Sequence, residues 1–401
     1  MISSSRHFIK QEWRFLLFGL LLTFWSSPGQ TFLISLFGAH LRNDFNLSHG
    51  EFGTLYTIAT LISAVLLWKT GPLIDRLPLA KFAVTMVVLM SVSIATFAAI
   101  QGPITLLIGI LFVRFMGQGM LNHIALTAMA RRYSAERGRA ISYAGLGFIL
   151  GESLFPPVIV IALGLMDWRL IWPVMSFLCA ITLLPFIKRL IEHTAAQDGP
   201  GALAQTSDDM KHYDRAALLR DYRFYLLIGI SITQSGVITG LFFHQVYLVE
   251  VKGWSIEWWS ICFSIFAAFS LAGGLGAGWL VDRFSARRIA PYSLLFMSVA
   301  LLMFAHLNDP IFAALIMALL GIGAGYNTPA QSSMWAELYG TQHLGAIRSV
   351  ANVVMVFGSA LGPVFMGLAF DLGISIDSVF YACVALTLMA ITASRIALRT
   401  S

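Results

Sequence analysis

Continuous apolar runs of bilayer-crossing length constrain this chain more than any other feature. A helix rises about 1.5 Å per residue, so about 20 apolar residues cover a hydrocarbon core roughly 30 Å thick. Twelve runs qualify, at 13–38, 50–71, 79–100, 103–130, 138–163, 168–187, 222–249, 256–280, 288–306, 309–336, 343–370 and 376–396. They are continuous, whereas the strands of an outer-membrane barrel alternate. Hydrophobic residues make up 58% of the chain and charged residues 11%, against about 25% charged in soluble domains. The expected fold is an all-α integral membrane protein with twelve transmembrane helices, numbered here as spans one to twelve. Arg6, Lys10 and Arg14 precede the first apolar stretch as they would in a secretory signal. That stretch outruns a signal's apolar core of about 7–15 residues and is followed by eleven more, so it reads as span one.

The net charge of +6 does not imply a nucleic-acid partner, because the basic residues punctuate the spans instead of forming one face. Alternating the spans across a membrane puts Arg76, Lys81, Arg131, Arg132, Arg137, Arg139, Lys188, Arg189, Arg220, Arg283, Arg287 and Arg288 on one side. Only Arg42, Arg169 and Lys252 fall on the other. The positive-inside rule makes the first side cytoplasmic, with both termini there. The polar stretch "EHTAAQDGPGALAQTSDDMKHYDRAALLRD" (192–221) reads as a cytoplasmic linker, partly disordered, with a short surface helix at 211–220. The expected organisation is a six-helix half over 1–190, a linker over 191–221 and a second six-helix half over 222–401.

The halves repeat. "GPLIDRLPLAK" (71–81) follows span two and "GWLVDRFSARR" (278–288) follows span eight, placing Asp75 and Asp282 at an offset of 282 − 75 = 207. Gly151 and Pro156 in span five match Gly358 and Pro363 in span eleven at the same offset. "MARRYS" (129–134) matches "WAELYG" (335–340) at 206. Parallel repeats of this kind place a binding site near the midplane, where the repeats face each other.

On these features the chain resembles the major facilitator superfamily over essentially its whole length. Gly71, Leu73, Asp75 and Arg76 match the family's G-x-L-x-D-R-x-G-R-R/K loop signature, with Pro78 in place of the later glycine and Leu79 and Ala80 in place of basic residues. The second copy keeps Gly278, Leu280, Asp282 and Arg283. "RFMGQG" (114–119) is similar to the fourth-span signature R-x-x-x-G, and "GFILGESLFPP" (147–157) and "GSALGP" (358–363) to the glycine–proline signature of spans five and eleven. More locally, "ELYGTQHLGAIRS" (337–349) resembles the segment between spans ten and eleven of monocarboxylate and oxalate/formate-type carriers. Span eight lacks the arginine that those carriers often use to hold a carboxylate. The resemblance implies two pseudo-symmetric six-helix bundles, a central cavity lined by spans one, four, seven and ten, and rocker-switch alternating access.

It also implies a gate at Asp75, Arg76, Asp282 and Arg283. A carboxylate there can sit at the positive N-terminus of a helix in the other half while accepting hydrogen bonds from Arg131 or Arg132. Asp75 is expected to face the start of span eleven, and Asp282 the start of span five. The plainer alternative is that these charges only keep helix ends in water and set topology. Gly151, Pro156, Gly358 and Pro363 are expected to serve close packing and a kink, with spans five and eleven meeting each other.

Ionisable residues at mid-depth are costly and mark function. Arg114 lies about 11 residues into span four and Glu152 about 11 residues from one end of span five, each roughly 16 Å deep. Three readings stand for Arg114: an ion pair with Glu152, a direct contact to an anionic substrate, or coupling of proton uptake through Glu152. Gln30, Asn122, His123, Gln234, His244, Tyr326, Asn327 and Gln331 complete the candidate substrate or coupling residues. For each of these an interhelical hydrogen bond is the structural alternative. Cys179, Cys262 and Cys383 are far apart and show no disulfide or metal spacing. No phosphate-binding G-x-x-x-x-G-K-S/T run or nucleophile constellation stands out, so no enzyme activity, metal or cofactor is expected. The expectation is a monomeric secondary transporter of a bacterial-type inner membrane. It would move a small organic solute, an organic anion by preference, in symport or antiport with protons. A drug or metabolite exporter and a non-transporting membrane sensor are the alternatives.

Overall fold

The computed structural model describes residues 2–133, 136–192, 215–340 and 344–399, and every regular element among them is helical. Among the described residues eleven helices are long and apolar enough to cross a membrane, and a bent pair at the N-terminus, taken as one span, brings the number to twelve. Large apolar side chains such as Trp68, Ile104, Leu165 and Leu275 are exposed. Lipid tails would cover them in a bilayer. Of the linker, Arg215–Arg220 forms the short helix, and residues 193–214 lie outside the described residues.

Span one departs most from its expected form. It is helical over Ile2–Phe24 and again over Gly38–Phe45, with short 3-10 and α turns between. The segments on either side of Gln30 are bent by 45°. The cause is local. The Ser26 and Ser27 hydroxyls donate back to the Thr23 and Phe24 carbonyls at 2.6 and 2.7 Å, Pro28 has no N–H to give, and Gln30 is extended. Span seven breaks too, into Tyr222–Phe243 and Gln245–Val251 around His244. Span four is a third exception: between Pro103–Val113 and Asn122–Arg132 it widens into a π-helical segment over Arg114–Leu121.

The chain forms two compact units, one of residues 1–45 and 58–205 and the other of 46–57 and 206–401. The second unit thus takes in the first turns of span two, His49–Thr70. The sequence repeat is visible in where helices start. Gly38 and Gln245 differ by 245 − 38 = 207, and His49 and Ile256 by 256 − 49 = 207.

The span-five and span-eleven glycines pack inside their own units. A Cβ on Gly147 would lie 1.9 Å from the Leu20 carbonyl, and one on Gly151 would lie 2.1 Å from Ser27 Oγ, so span five meets span one. Cβ atoms on Gly358 and Gly362 would meet the carbonyls of Ile232 and Gly236 at 2.8 and 2.0 Å, so span eleven meets span seven. These glycine faces serve packing inside each bundle. The helices run unbroken through Pro156 and Pro363. Gly147→Val is expected to lower the unfolding midpoint through a packing penalty of about 1–3 kcal/mol, whereas Gly164→Val, at a position where a Cβ meets open space, leaves it unchanged. A thermal melt of both purified variants checks this.

Candidate functional site

In the first unit the polar centre lies where the break in span one crosses the π segment of span four. Backbone meets backbone there. A Cβ on Gly29 would sit 2.3 Å from the Val113 carbonyl, and one on Gly117 would sit 2.9 Å from the Ser26 carbonyl. This approach buries Arg114, which is 1% exposed. Its Nη1 donates to the Gly29 carbonyl at 3.4 Å. Gln30, also buried, places Nε2 3.5 Å from Ser26 Oγ. Glu152 is buried on span five beside Phe155, whose ring packs against Phe24 and Trp25. Among the described residues no ion pair joins Glu152 to Arg114. Of the three readings for Arg114, that pairing is the one the structure does not contain. Equal depth along two helices does not put two side chains on facing sides.

In the second unit a neutral polar ladder follows the seam between span seven and span ten, Ile311–Tyr339. Ser231 donates to Gln331 Oε1, Gln331 Nε2 donates to Asn327 Oδ1 at 2.7 Å, and Gln234 Nε2 donates to the Gly323 carbonyl at 3.2 Å. The expected residues Gln234, Asn327 and Gln331 are thus brought together, and Ser231 joins them. Tyr326 is not part of this ladder. It is a core residue whose hydroxyl donates to the Ile289 carbonyl at 3.1 Å. His244 sits at the break of span seven, its Nε2 2.9 Å from the Pro363 carbonyl. His123 reaches the Gly71 carbonyl, at 3.1 Å, and so tethers the loop after span two. Asn122 donates to the Gln118 carbonyl at 3.2 Å, within its own helix.

The loop ends that carry the repeated Asp–Arg pairs are clipped in two ways. In the first unit Arg131 pairs with Asp75 and also donates to the Ile74 carbonyl at 3.1 Å. Arg132 turns instead to Glu12, at 3.1 Å, which also accepts from the Tyr133 hydroxyl at 2.7 Å. Burial, and then the Glu12 carboxylate, push that hydroxyl above its ordinary range and keep it a donor. In the second unit the position matching Arg131, at 337 − 131 = 206, is Glu337. Its carboxylate accepts from Ser285 Oγ and from the backbone N–H groups of Ala286 and Arg287 at 2.7, 2.8 and 3.1 Å. The repeat therefore keeps the clip and reverses its charge. Arg76 and Asp282 are exposed, and Arg283 lies over Trp279, 5.4 Å from the ring centroid. The helices expected to receive Asp75 and Asp282 begin at Leu344 and Arg137, and the residues just before them, 341–343 and 134–135, lie outside the described residues. Glu337→Gln is expected to weaken the cap by about 1 kcal/mol. Amide exchange at Ala286 and Arg287 should quicken by roughly fivefold, readable by hydrogen–deuterium exchange.

A further carboxylate, absent from the sequence-based expectations, works at the opposite end of the spans. Asp371, the last residue of span eleven, accepts from Ser48 Oγ and from the backbone N–H groups of His49 and Gly50 at 2.7, 3.0 and 2.8 Å. It thereby holds the N-terminus of span two within the second unit. Ser48 and Glu51 form a reciprocal capping box at the same turn, at 2.8 and 3.1 Å. Below it the two helices touch through backbone: a Cβ on Gly53 would lie 2.7 Å from the Pro363 carbonyl, and one on Gly367 would lie 2.5 Å from the His49 carbonyl. Thr57 donates to the Ala360 carbonyl at 2.5 Å. The S-x-x-E of residues 48–51 was the available sequence signal for the capped end, and nothing in it named Asp371 as the partner.

Paired helical units, polar groups buried at mid-span and charged clips at span ends define a multi-pass membrane transporter. The chain belongs to the Major Facilitator Superfamily, whose sequence profile matches residues 19–363 and, in a second alignment, 259–400. Among solved structures, a bacterial homolog of the human lysosomal transporter Spinster, in an inward-facing and unoccupied conformation, has a TM-score of 0.75 at 16% identity, covering 96% of each chain. The nucleoside transporter NupG has a TM-score of 0.72 at 15% identity, covering 96% of this chain and 99% of its own. A multidrug resistance protein B homolog from Mycobacterium tuberculosis is 30% identical over 91 residues, which is 23% of this chain and 17% of that protein.

Proposed function

We propose that this protein is a secondary active carrier of a small organic anion. It would act as a monomer in a bacterial-type inner membrane with both termini cytoplasmic, by alternating access of its two halves. The observation that carries the reading is Arg114, a guanidinium 1% exposed in the middle of a span, at the crossing of span four with the break in span one. A cation at that depth costs several kcal/mol and is kept where it meets an anionic cargo. Glu152, buried in span five beside the rings of Phe24, Trp25 and Phe155, is the proposed proton site, an ionisable group kept at mid-depth. The decisive experiment is flux into proteoliposomes across a solute panel, with and without an imposed proton gradient. Saturable, gradient-stimulated uptake of an organic acid supports the reading. Flux confined to neutral or cationic drugs would overturn it, and binding without flux would favour a sensor.

A second reading is export of amphiphilic drugs. The partial likeness to the multidrug resistance homolog supports it, as does the aromatic group of Phe24, Trp25 and Phe155 beside Glu152.

Asp371 serves as the outer gate in this cycle, since it lies at the span ends opposite the basic loops. Asp371→Asn keeps the shape and removes the charge at a helix N-terminus. At this exposed position the loss is about 1 kcal/mol. A cysteine at Asn46, in a background lacking the native cysteines, should then react roughly fivefold faster with an impermeant thiol reagent. An unchanged rate would remove Asp371 from the gate.

A further inference from the structure

The Gln234 side-chain amide is only half satisfied. It is 8% exposed, near the middle of span seven, 234 − 222 = 12 residues from the helix start. That is about 18 Å along the axis. Its Nε2 donates to the Gly323 carbonyl. This contact fixes the amide orientation, because the flipped form would set oxygen against oxygen. The other end of the amide, Oε1, is buried and has no hydrogen-bond partner among the described residues. A buried acceptor left unpaired is costly and calls for an explanation.

Neighbouring groups do not supply one. Ser231 already gives its proton to Gln331, and Gln331 gives one to Asn327. The opposite face of span seven is taken up by span eleven through Gly236 and Gly240, where Cβ atoms would meet Gly358, Gly362 and Met366 at 3.1 Å or less. Gln234 therefore belongs to the polar face toward span ten, in a ladder whose members are all uncharged. No donor of that ladder reaches Gln234 Oε1.

We infer that Gln234 is a specificity residue: its buried carbonyl oxygen accepts a hydrogen bond from an O–H or N–H group of the transported solute. The carrier then prefers solutes with such a donor to otherwise identical solutes without one. The inference rests on the transport reading above and narrows it from organic anions in general to donor-bearing ones. A site built around a buried acceptor discriminates because a ligand without the donor leaves the acceptor unpaired.

The test uses the full-length protein, purified in detergent, and its thermal stabilisation by matched probes. Mandelate is paired with phenylacetate, and benzamide with N,N-dimethylbenzamide. The donor-bearing member of each pair should stabilise at roughly tenfold lower concentration. Gln234→Met, similar in size and without an amide acceptor, should reduce the preference to less than twofold. Gln234→Glu keeps an acceptor and should retain the preference within the neutral pair. Equal stabilisation by both members in the wild type overturns the inference. So does a preference that survives Gln234→Met, which would assign the donor to another group, and so does a lack of stabilisation by either donor-bearing probe. Discrimination within the benzamide pair, with neither acid stabilising, upholds the donor requirement and overturns the organic-anion reading. If Gln234→Met fails to fold, a preference lost in Gln234→Glu overturns the inference and a preference kept there supports it.

Discussion

Arg114→Gln is expected to cut saturable uptake of an organic acid on the order of 100-fold, the usual scale for removing one partner of a buried charge contact. Arg114→Lys should recover part of the loss, since it restores the charge without the planar fork that grips a carboxylate at two points. Initial rates in proteoliposomes, normalised to folded protein, give the answer. A purely structural arginine makes a different prediction: a lower melting temperature with unchanged KM and turnover among the molecules that remain folded. That outcome would sink the anion-binding role. The result also bears on Glu152, because loss of proton stimulation in Glu152→Gln with uptake retained would separate coupling from binding.

The second large effect is expected from a single methyl group. Gly29→Ala places a Cβ 2.3 Å from the Val113 carbonyl and 2.8 Å from the Gln118 backbone nitrogen. Neither backbone can yield without separating span one from the π segment of span four. Overpacking of this kind costs about 1–3 kcal/mol, and the same displacement moves the Gly29 carbonyl away from Arg114. Uptake should fall together with the unfolding midpoint. Gly138→Ala, at a position where a Cβ meets nothing within 4 Å, is the control. Normal uptake in Gly29→Ala would mean that the crossing does not position Arg114.

The span pattern was legible because it depends only on run length and hydropathy, which a bilayer imposes residue by residue. The repeat was legible for a similar reason: Asp75 and Asp282, or Gly151 and Gly358, keep their spacing in the chain whatever the packing. Contacts between helices were not legible. Arg114 and Glu152 share a depth, but depth fixes one coordinate of three, and the rotation of spans four and five about their axes decides whether they meet. Tyr326 and Asn327 are neighbours in sequence, yet the roughly 100° turn per residue sends one to the core and the other to the polar ladder. The break at Ser26–Gly29 was hidden inside an apolar run because its cause is serine hydroxyls bonding back to the main chain and the missing N–H of Pro28, which hydropathy does not register. Asp371 was overlooked because a lone carboxylate at a span end reads as ordinary topology until its three donors are seen.

The clasp at Asp371 has no twin. Subtracting the repeat offset, 371 − 207 = 164, leads to Gly164, which has no side chain to cap the start of span eight. The start of span two is therefore held by a carboxylate from another span, while the matching position offers the start of span eight nothing. Two helix ends that the repeat makes equivalent should fray unequally: at about 1 kcal/mol, the capped end opens roughly fivefold less often.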